Sequence, residues 1–370
     1  MAGLYVHIPF CRSRCLYCGF YSTTSLDSRQ RYVEAVCQEI EMRAQKNAIG
    51  TIYFGGGTPS QLTIRQIGTI LEAIYKYNNV EEDVEVTIEC NPDDITFDFA
   101  KGLQTLTVNR ISMGAQTFSN KRLNFLHRRH TASQVLKAVE TLRQTGFQNI
   151  GIDLMYGFPA ETQDEWEADI EQALALYVPH ISTYSLMYEE GTPLYQMFQQ
   201  GKVTEVDEEQ EHMMYERLID KLKNAGYEHY EISNFAKPGY RSRHNSSYWA
   251  GIPYIGIGAA AHSFDIRSRS WNVADIRQYI GGINRGQRLF EEELIDEDTR
   301  YNDAITTALR TCEGLNLSTL PERHRHYCLQ TAQHLIDDGL LEQESPYNLR
   351  LTRKGLFLSD MVMRELIWVD

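Results

Sequence analysis

Leu4-Tyr-Val-His-Ile-Pro-Phe-Cys11-Arg-Ser-Arg-Cys15-Leu-Tyr-Cys18 opens as a strand-like run and passes straight into three cysteines spaced C-x3-C-x2-C. The apolar and aromatic residues of Leu4–His7 favour extended backbone, so the cysteines fall on the loop that follows a first strand. In repeated βα architectures that loop lies on the face where active sites are built. Three soft thiolates at this spacing can wrap one corner of a metal site, and both zinc and an iron–sulfur cluster accept them. A structural zinc normally takes four protein ligands, yet the position two after Cys18 is Phe20. Three ligands on a four-iron cluster would leave one iron open to an outside ligand. Spacing alone leans toward the cluster and leaves zinc open.

Working outward, five more strand-like runs follow: Thr51–Phe54, Val84–Glu89, Arg110–Gly114, Asn149–Met155 and His180–Leu186. Several are nearly continuous apolar runs, as strands covered on both faces are. Between them lie amphipathic stretches, Ser28–Gln45, Thr63–Tyr77, Thr131–Thr145 and Asp164–Leu176, with Thr63 and Thr131 as N-caps and Gly146 just past a helix end. This alternation predicts an α/β fold with a parallel sheet, open or curled toward a barrel. After Leu186 the pattern changes. Gly191-Thr192-Pro193 marks a turn, Asp207–Ala225 is a long charged helix, and Tyr227–Ser270 has weak periodicity. From about Asp296 come helices near Arg300–Arg310 and Tyr327–Asp338, then a hairpin turning at Ser345-Pro-Tyr-Asn, which together predict a small winged-helix-like unit. The expected organisation is a core over 1–190, an extension over 191–290 and a C-terminal unit over 291–370.

The chain has 370 residues, 36 Lys+Arg and 50 Asp+Glu, a formal net charge of −14. That balance argues against a protein whose main role is to grip nucleic acid, and the C-terminal unit reads as a packing or partner-docking element. Seven cysteines, an odd number, behind an N-terminus with no basic and apolar leader, point to a reducing cytoplasm. Cys37, Cys90, Cys312 and Cys328 are scattered and read as small buried hydrophobes. No apolar run is long enough for a helical membrane span. Peripheral membrane contact and a homodimer stay open.

Candidate ligand-binding residues sit at the ends of the predicted strands. Thr51-Ile-Tyr-Phe54 runs into Gly55-Gly-Gly-Thr-Pro59, where glycines let backbone approach a ligand closely. Glu89 ends the third strand, Gln116 follows the fourth, Arg128 stands in His127-Arg-Arg-His130, and Asp153 ends the fifth. Taken singly, each is as well explained by a cap, a turn or a surface ion pair.

Together with Tyr5-Val-His-Ile-Pro-Phe-Cys11 and the cysteine triplet, these motifs resemble the radical S-adenosylmethionine (SAM) superfamily. The resemblance is closest to its branch of oxygen-independent coproporphyrinogen oxidases and heme chaperones. It implies a partial (β/α)6 barrel with a small C-terminal helical, winged-helix-like domain. It also implies a [4Fe-4S] cluster on Cys11, Cys15 and Cys18. The SAM contacts it implies are Gly56, Gly57, Thr58, Glu89, Gln116, Arg128, Asp153 and, more weakly, Ser185, with Tyr5 and Tyr17 of the cluster motif among the cofactor-binding residues.

Two departures from the oxidases stand out. Phe20 replaces a further cysteine of those enzymes, and only ten residues precede Cys11 where they carry an N-terminal extension. A second motif, His244-Asn-Ser-Ser-Tyr-Trp249, matches the H-N-x-x-Y-W of the heme chaperones. Imidazole is a good axial ligand for heme iron, and aromatic faces suit a macrocycle. The resemblance therefore implies heme contact by His244, Tyr248 and Trp249, with Arg241 and Arg243 toward the propionates. His262, in the small-residue run after Gly256, reads as structural. The expected function is a heme chaperone that delivers heme to acceptor hemoproteins, with a flavodoxin- or ferredoxin-type electron donor. The alternative is an oxygen-independent coproporphyrinogen III oxidase of porphyrin biosynthesis. Whether SAM is cleaved in the working cycle, and so whether the protein is an enzyme, stays open.

Overall fold

The computed structural model describes residues 2–44 and 48–369. Six βα units lead the chain. The strands are β1 (Ala2–Ile8), β2 (Ile49–Gly56), β3 (Val80–Cys90), β4 (Arg110–Gln116), β5 (Ile150–Tyr156) and β6 (His180–Ser185). The helices among them are α1 (Arg29–Met42), α2 (Ile64–Tyr77), α3 (Phe97–Thr105), α4 (Asn120–Phe125), α5 (Ala132–Gln144) and α6 (Gln163–Ala175). All six strands pair in parallel, in chain order. The expected end of the first helix, Gln45, lies outside the described residues.

The local chemistry explains the elements. Thr63 caps α2 in a reciprocal box, its hydroxyl accepting the Gln66 amide at 3.3 Å while the Gln66 side chain accepts the Thr63 amide at 3.0 Å. Thr131 and Gln134 repeat the device at α5. Along the strands side chains alternate. Leu4, Val6 and Ile8 enter the hydrophobic core with Tyr32, Val33 and Val36 of α1. Gly3, Tyr5 and His7 face the barrel interior, where Gly3 meets His244, Tyr5 stacks over Tyr53 and His7 lies against Gly56. The continuous apolar character of these strands thus hides a polar and glycine-rich lining.

The segment after β6 shows what weak periodicity conceals. It forms α7 (Pro193–Gln199), α8 (Glu208–Asn224), β7 (Glu228–Glu231), β8 (Asn234–Ala236), α9 (Arg243–Trp249), β9 (Tyr254–Ile257), β10 (His262–Phe264), β11 (Ser268–Asn272), α10 (Ile276–Ile283) and β12 (Phe290–Leu294). These strands are too short to display a period. They extend both ends of one twelve-stranded sheet, ordered β12-β11-β10-β9-β1-β2-β3-β4-β5-β6-β8-β7. β9 pairs in parallel with β1, and β8 pairs antiparallel with β6, so the barrel is partial. The small residues after β9 serve close approach: a Cβ on Gly256 would stand 2.0 Å from the His262 carbonyl oxygen.

The C-terminal unit contains α11 (Glu297–Ala308), β13 (Leu315–Asn316), α12 (Glu322–Asp337), β14 (Leu341–Ser345), β15 (Asn348–Leu351), α13 (Arg353–Phe357) and α14 (Ser359–Leu366). Its three strands form a separate sheet, β13-β15-β14, over a core of its own built around Tyr301, Leu317, Leu335 and Val362. The helix–strand–helix–hairpin order is that of a winged helix. No helix among the described residues is long and apolar enough to cross a membrane.

Candidate cofactor site

The loops at the C-terminal ends of β1–β6 enclose a cavity of about 530 Å³. Cys11, Cys15 and Cys18 line it, together with Tyr17, Gly56, Gly57, Thr58, Glu89, Gln116, Arg128, Asp153 and Ser185. Residues from six different βα loops, each ambiguous alone, therefore converge on one space. Tyr5 does not line it. Its ring lies deeper in the barrel, 6.1 Å from Tyr53, with its hydroxyl 3.2 Å from His7 Nδ1.

Backbone geometry brings the glycine loop against the cysteine loop. Gly56 has φ 105°, and a Cβ there would sit 2.5 Å from the His7 ring. A Cβ on Gly57 would stand 2.8 Å from the Pro9 carbonyl carbon. Thr58 then reaches Cys11, donating from Oγ1 to Sγ at 3.4 Å. Across the cavity Arg128 is clamped by Nη2 bonds to Asn91 Oδ1 and the Gly114 carbonyl, both 2.7 Å, and its Nη1 lies 3.6 Å from Cys15 Sγ. Its buried Nε has no hydrogen-bond partner among the described residues. Gln116 holds φ 66°, a costly backbone for a non-glycine residue, and Gly114 leaves room for both Gln116 and Arg128.

Electrostatics separate this cavity from an ordinary surface cleft. Burial raises the Glu89 carboxyl to about 7, opposed by the Tyr53 hydroxyl donating to it at 2.7 Å and assisted by the Asp153 charge. Burial likewise raises Asp153 to about 6 against hydrogen bonding from Ser182 and the charges of Arg110 and Arg128. Burial pushes the Cys11 and Cys18 thiols up, opposed at Cys11 by the Thr58 hydrogen bond. Two carboxylates and one guanidinium set in the wall of the cavity suit a zwitterionic ligand that also carries positive charge. Among the described residues no three His, Cys, Asp or Glu side chains converge on a single-ion position. Three thiols on one loop, with Thr58 and Arg128 set against the sulfurs of Cys11 and Cys15, are soft donors that an iron–sulfur cluster accepts. The donor set fits the cluster.

The H-N-x-x-Y-W motif lies elsewhere. It forms α9, seated at the opposite, N-terminal end of the strands. His244 is fully buried. Its Nδ1 is 2.8 Å from Thr51 Oγ1 and its Nε2 is 2.8 Å from the Tyr248 hydroxyl, so neither ring nitrogen is free. The ring stacks on Tyr53 at 4.9 Å. Burial, with Arg110 nearby, lowers its pKa to about 3. Glu85 accepts the amides of Arg243 and His244 at 3.1 and 3.0 Å, fixing the first turn of α9 on the barrel. Tyr248 packs edge-on to Tyr254, and Trp249 lies under the Arg310 guanidinium at 4.9 Å. Arg241 is paired with Glu228 and Glu313, and Arg243 with Asp83. The imidazole of this motif and both arginines are thus engaged within the protein. Trp249 Nε1 of the same motif, by contrast, is buried and has no hydrogen-bond partner among the described residues.

Two cysteine expectations also change. Cys90 and Cys328 are buried, but Cys312 is exposed and Cys37 half-buried. His262 is exposed and stacks on Trp271 at 5.7 Å. Asn91, Gly114, Ser112 and Tyr184 line the cavity although the motifs do not single them out. Asn91 carries a signal, since it stands two positions after Glu89. Tyr184 carries the barrel-facing spacing after Ser182.

The residues 5–173 match the family model of the radical SAM superfamily, and 295–358 match that of the HemN C-terminal domain. The heme chaperone HemW of Lactococcus lactis is 33% identical over 99% of this chain and 97% of its own length. HemW of Bacillus subtilis is 34% identical over 98% of each chain. The chain belongs to the HemW family of the radical SAM superfamily. HemW of Haemophilus influenzae is 31% identical over 97% of this chain and 96% of its own. A solved structure of coproporphyrinogen III oxidase (HemN) from Escherichia coli matches with a TM-score of 0.85 at 22% identity, covering 99% of this chain and 90% of that one. That likeness concerns the fold, the partial barrel with its C-terminal unit. Radical SAM membership brings a [4Fe-4S] cluster and SAM as cofactors.

Proposed function

We propose that this protein is a heme chaperone that holds a [4Fe-4S] cluster on Cys11, Cys15 and Cys18 and binds SAM, and that it passes heme to acceptor hemoproteins. The observation that carries the reading is the near-full-length likeness to proteins named heme chaperone HemW. Phe20, where the oxidases have a further cysteine, adds to it. SAM lies along Gly56, Gly57 and Thr58 on one side and Gln116 and Arg128 on the other, with Ser185 at the edge. Arg128 sets its positive charge toward the carboxylate end, while Glu89 and Asp153 face the cationic part. A reduced cluster supplies the electron that such proteins use to cleave SAM. The protein's own part is to position and shield: Tyr17 and Thr58 close the cluster loop, and Arg128 sets positive charge beside Cys15. A flavodoxin- or ferredoxin-type donor is the electron source, and the reducing cytoplasm the setting, in keeping with the free thiols of all seven cysteines. The working division is a radical SAM core over 1–190, an extension over 191–290 and a winged-helix-like unit over 291–370.

The test is an anaerobic preparation with its cluster loaded. Heme titration followed by addition of an apo-hemoprotein is expected to give binding and then transfer. Conversion of coproporphyrinogen to protoporphyrinogen, with no heme binding, overturns the reading in favour of the oxidase.

A further inference from the structure

The barrel interior holds a cation that the cofactor site does not account for. Arg110 opens β4, is 1% exposed and does not line the upper cavity. Among the described residues it makes no ion pair, and its buried Nε and Nη2 have no hydrogen-bond partner. A buried guanidinium without a carboxylate against it is costly, and its charge reaches further because little water screens it.

The strand register shows what it faces. Alternate residues of β4, from Arg110 to Ser112 to Gly114, share one face. Ser112 pairs with Gly151 of β5, and Gly114 pairs with Asp153. A Cβ on Gly151 would stand 3.4 Å from Arg110 Nη2, so the guanidinium lies over Gly151, two residues before Asp153 on the same face. Two residues along a strand span about 6–7 Å, too far for an ion pair and near enough for a strong interaction between charges in a dry interior. Ser182 and Ser112 hydrogen-bond the Asp153 carboxyl from the flanking strands. The other groups with charge or titration facing Asp153 are Arg128 and Tyr17 from the cavity loops, Glu89 from β3, Tyr53 from β2 and Tyr184 from β6. On the opposite side Arg110 meets nothing it can pair with. Burial, assisted by Arg110, lowers the pKa of His180 and His244, and Glu85 is spent on the amides of α9.

Resting on the reading that SAM occupies the upper cavity, we propose that Arg110 is a positioning residue of that site: its charge, held behind the cavity wall, keeps the Asp153 carboxylate available to the cationic part of SAM. Two arginines then divide the work. Arg128 stands in the wall, and Arg110 acts from inside the barrel through Asp153. Burial raises Asp153, and among the charges that oppose it Arg110 outweighs Arg128.

The experiment measures SAM affinity of the cluster-loaded protein by equilibrium dialysis from about pH 5.5 to 8.5. Wild-type affinity is expected to fall as pH drops through about 6, where Asp153 takes up its proton. Arg110→Met is expected to displace that fall upward by about one to two pH units, so that binding is about threefold or more weaker at neutral pH and near wild type at the alkaline end. Arg110→Lys keeps the charge and is expected to restore the wild-type profile. In an Asp153→Asn background, adding Arg110→Met is expected to leave affinity unmoved at every pH. Should Arg110→Met fail to fold, Arg110→Gln is measured in its place. Equal weakening at every pH, the same weakening in the Asp153→Asn background, or an unchanged profile overturns the proposal and leaves the SAM reading standing. If wild type binds no SAM, the SAM reading fails and the proposal with it.

Discussion

The two ends of the barrel are built from opposite materials. The upper end, at the C-terminal edges of β1–β6, is made of glycines, thiols and charged side chains such as Glu89, Arg128 and Asp153 that line an open cavity. The lower end is closed by α9, where His244 has both ring nitrogens bonded and three aromatic rings around it. The contrast holds for His244 and not for the whole lower end, since Trp249 Nε1 of the same helix is buried there without a hydrogen-bond partner among the described residues. Sequence motifs of equal apparent weight therefore have different meanings at the two ends.

Substitutions at each end test this contrast. The largest effect is expected from replacing Cys11, Cys15 and Cys18 by Ala: iron analysis and visible absorbance of the reconstituted protein should fall to background while the far-UV signal persists. His244→Ala should destabilise the fold by about 2–4 kcal/mol in denaturant unfolding, because it leaves a cavity and strands the hydroxyls of Thr51 and Tyr248. Gly57→Ala should cost about 1–3 kcal/mol by overpacking against Pro9 and should also weaken SAM binding, separating it from a purely structural change. Arg310→Ala should cost about 0.5–2 kcal/mol, since it removes the cation over Trp249 and the partner of buried Glu231, and the loss should appear first as faster amide exchange in the C-terminal unit.

The smallest effect is on the pH profile, and there the two ends act in opposite senses. At the lower end His244 titrates near 3 when folded and near its ordinary 6.5 when unfolded. The unfolded chain then binds more protons below 6.5, so this stabilising contribution is lost as pH falls from about 6.5 toward 3. At the upper end Glu89 titrates near 7 when folded and near its ordinary 4.5 when unfolded, so stability is lost as pH rises from about 4.5 to 7. His244→Gln should flatten the acid side of a plot of thermal midpoint against pH, and Glu89→Gln the neutral side. Identical profiles for the two variants would erase the distinction between the ends.

The upper end is legible in the sequence because each of its residues occupies a strand terminus, and a barrel gathers strand termini by construction. The six strands read from Leu4–His7 to His180–Leu186 correspond to β1–β6 with small changes at their ends, and Thr63 and Thr131 cap the helices expected of them. The strands β7–β12 are illegible because runs of three to five residues cannot show a period, and their pairing depends on distant partners, as β9 depends on β1. The role of His244 is illegible for a different reason. An imidazole needs two partners, and nothing local says whether they are Thr51 and Tyr248 or an iron.

The decisive measurement is a heme titration of cluster-loaded His244→Gln beside wild type, with the thermal midpoint of each recorded. Glutamine can still meet Thr51 or Tyr248 but is a poor ligand for heme iron. With His244 serving the fold, heme affinity and spectrum are expected to match wild type while the midpoint of the variant falls. An unchanged midpoint with heme binding lost would place the heme at the lower end and contradict the division between the two ends.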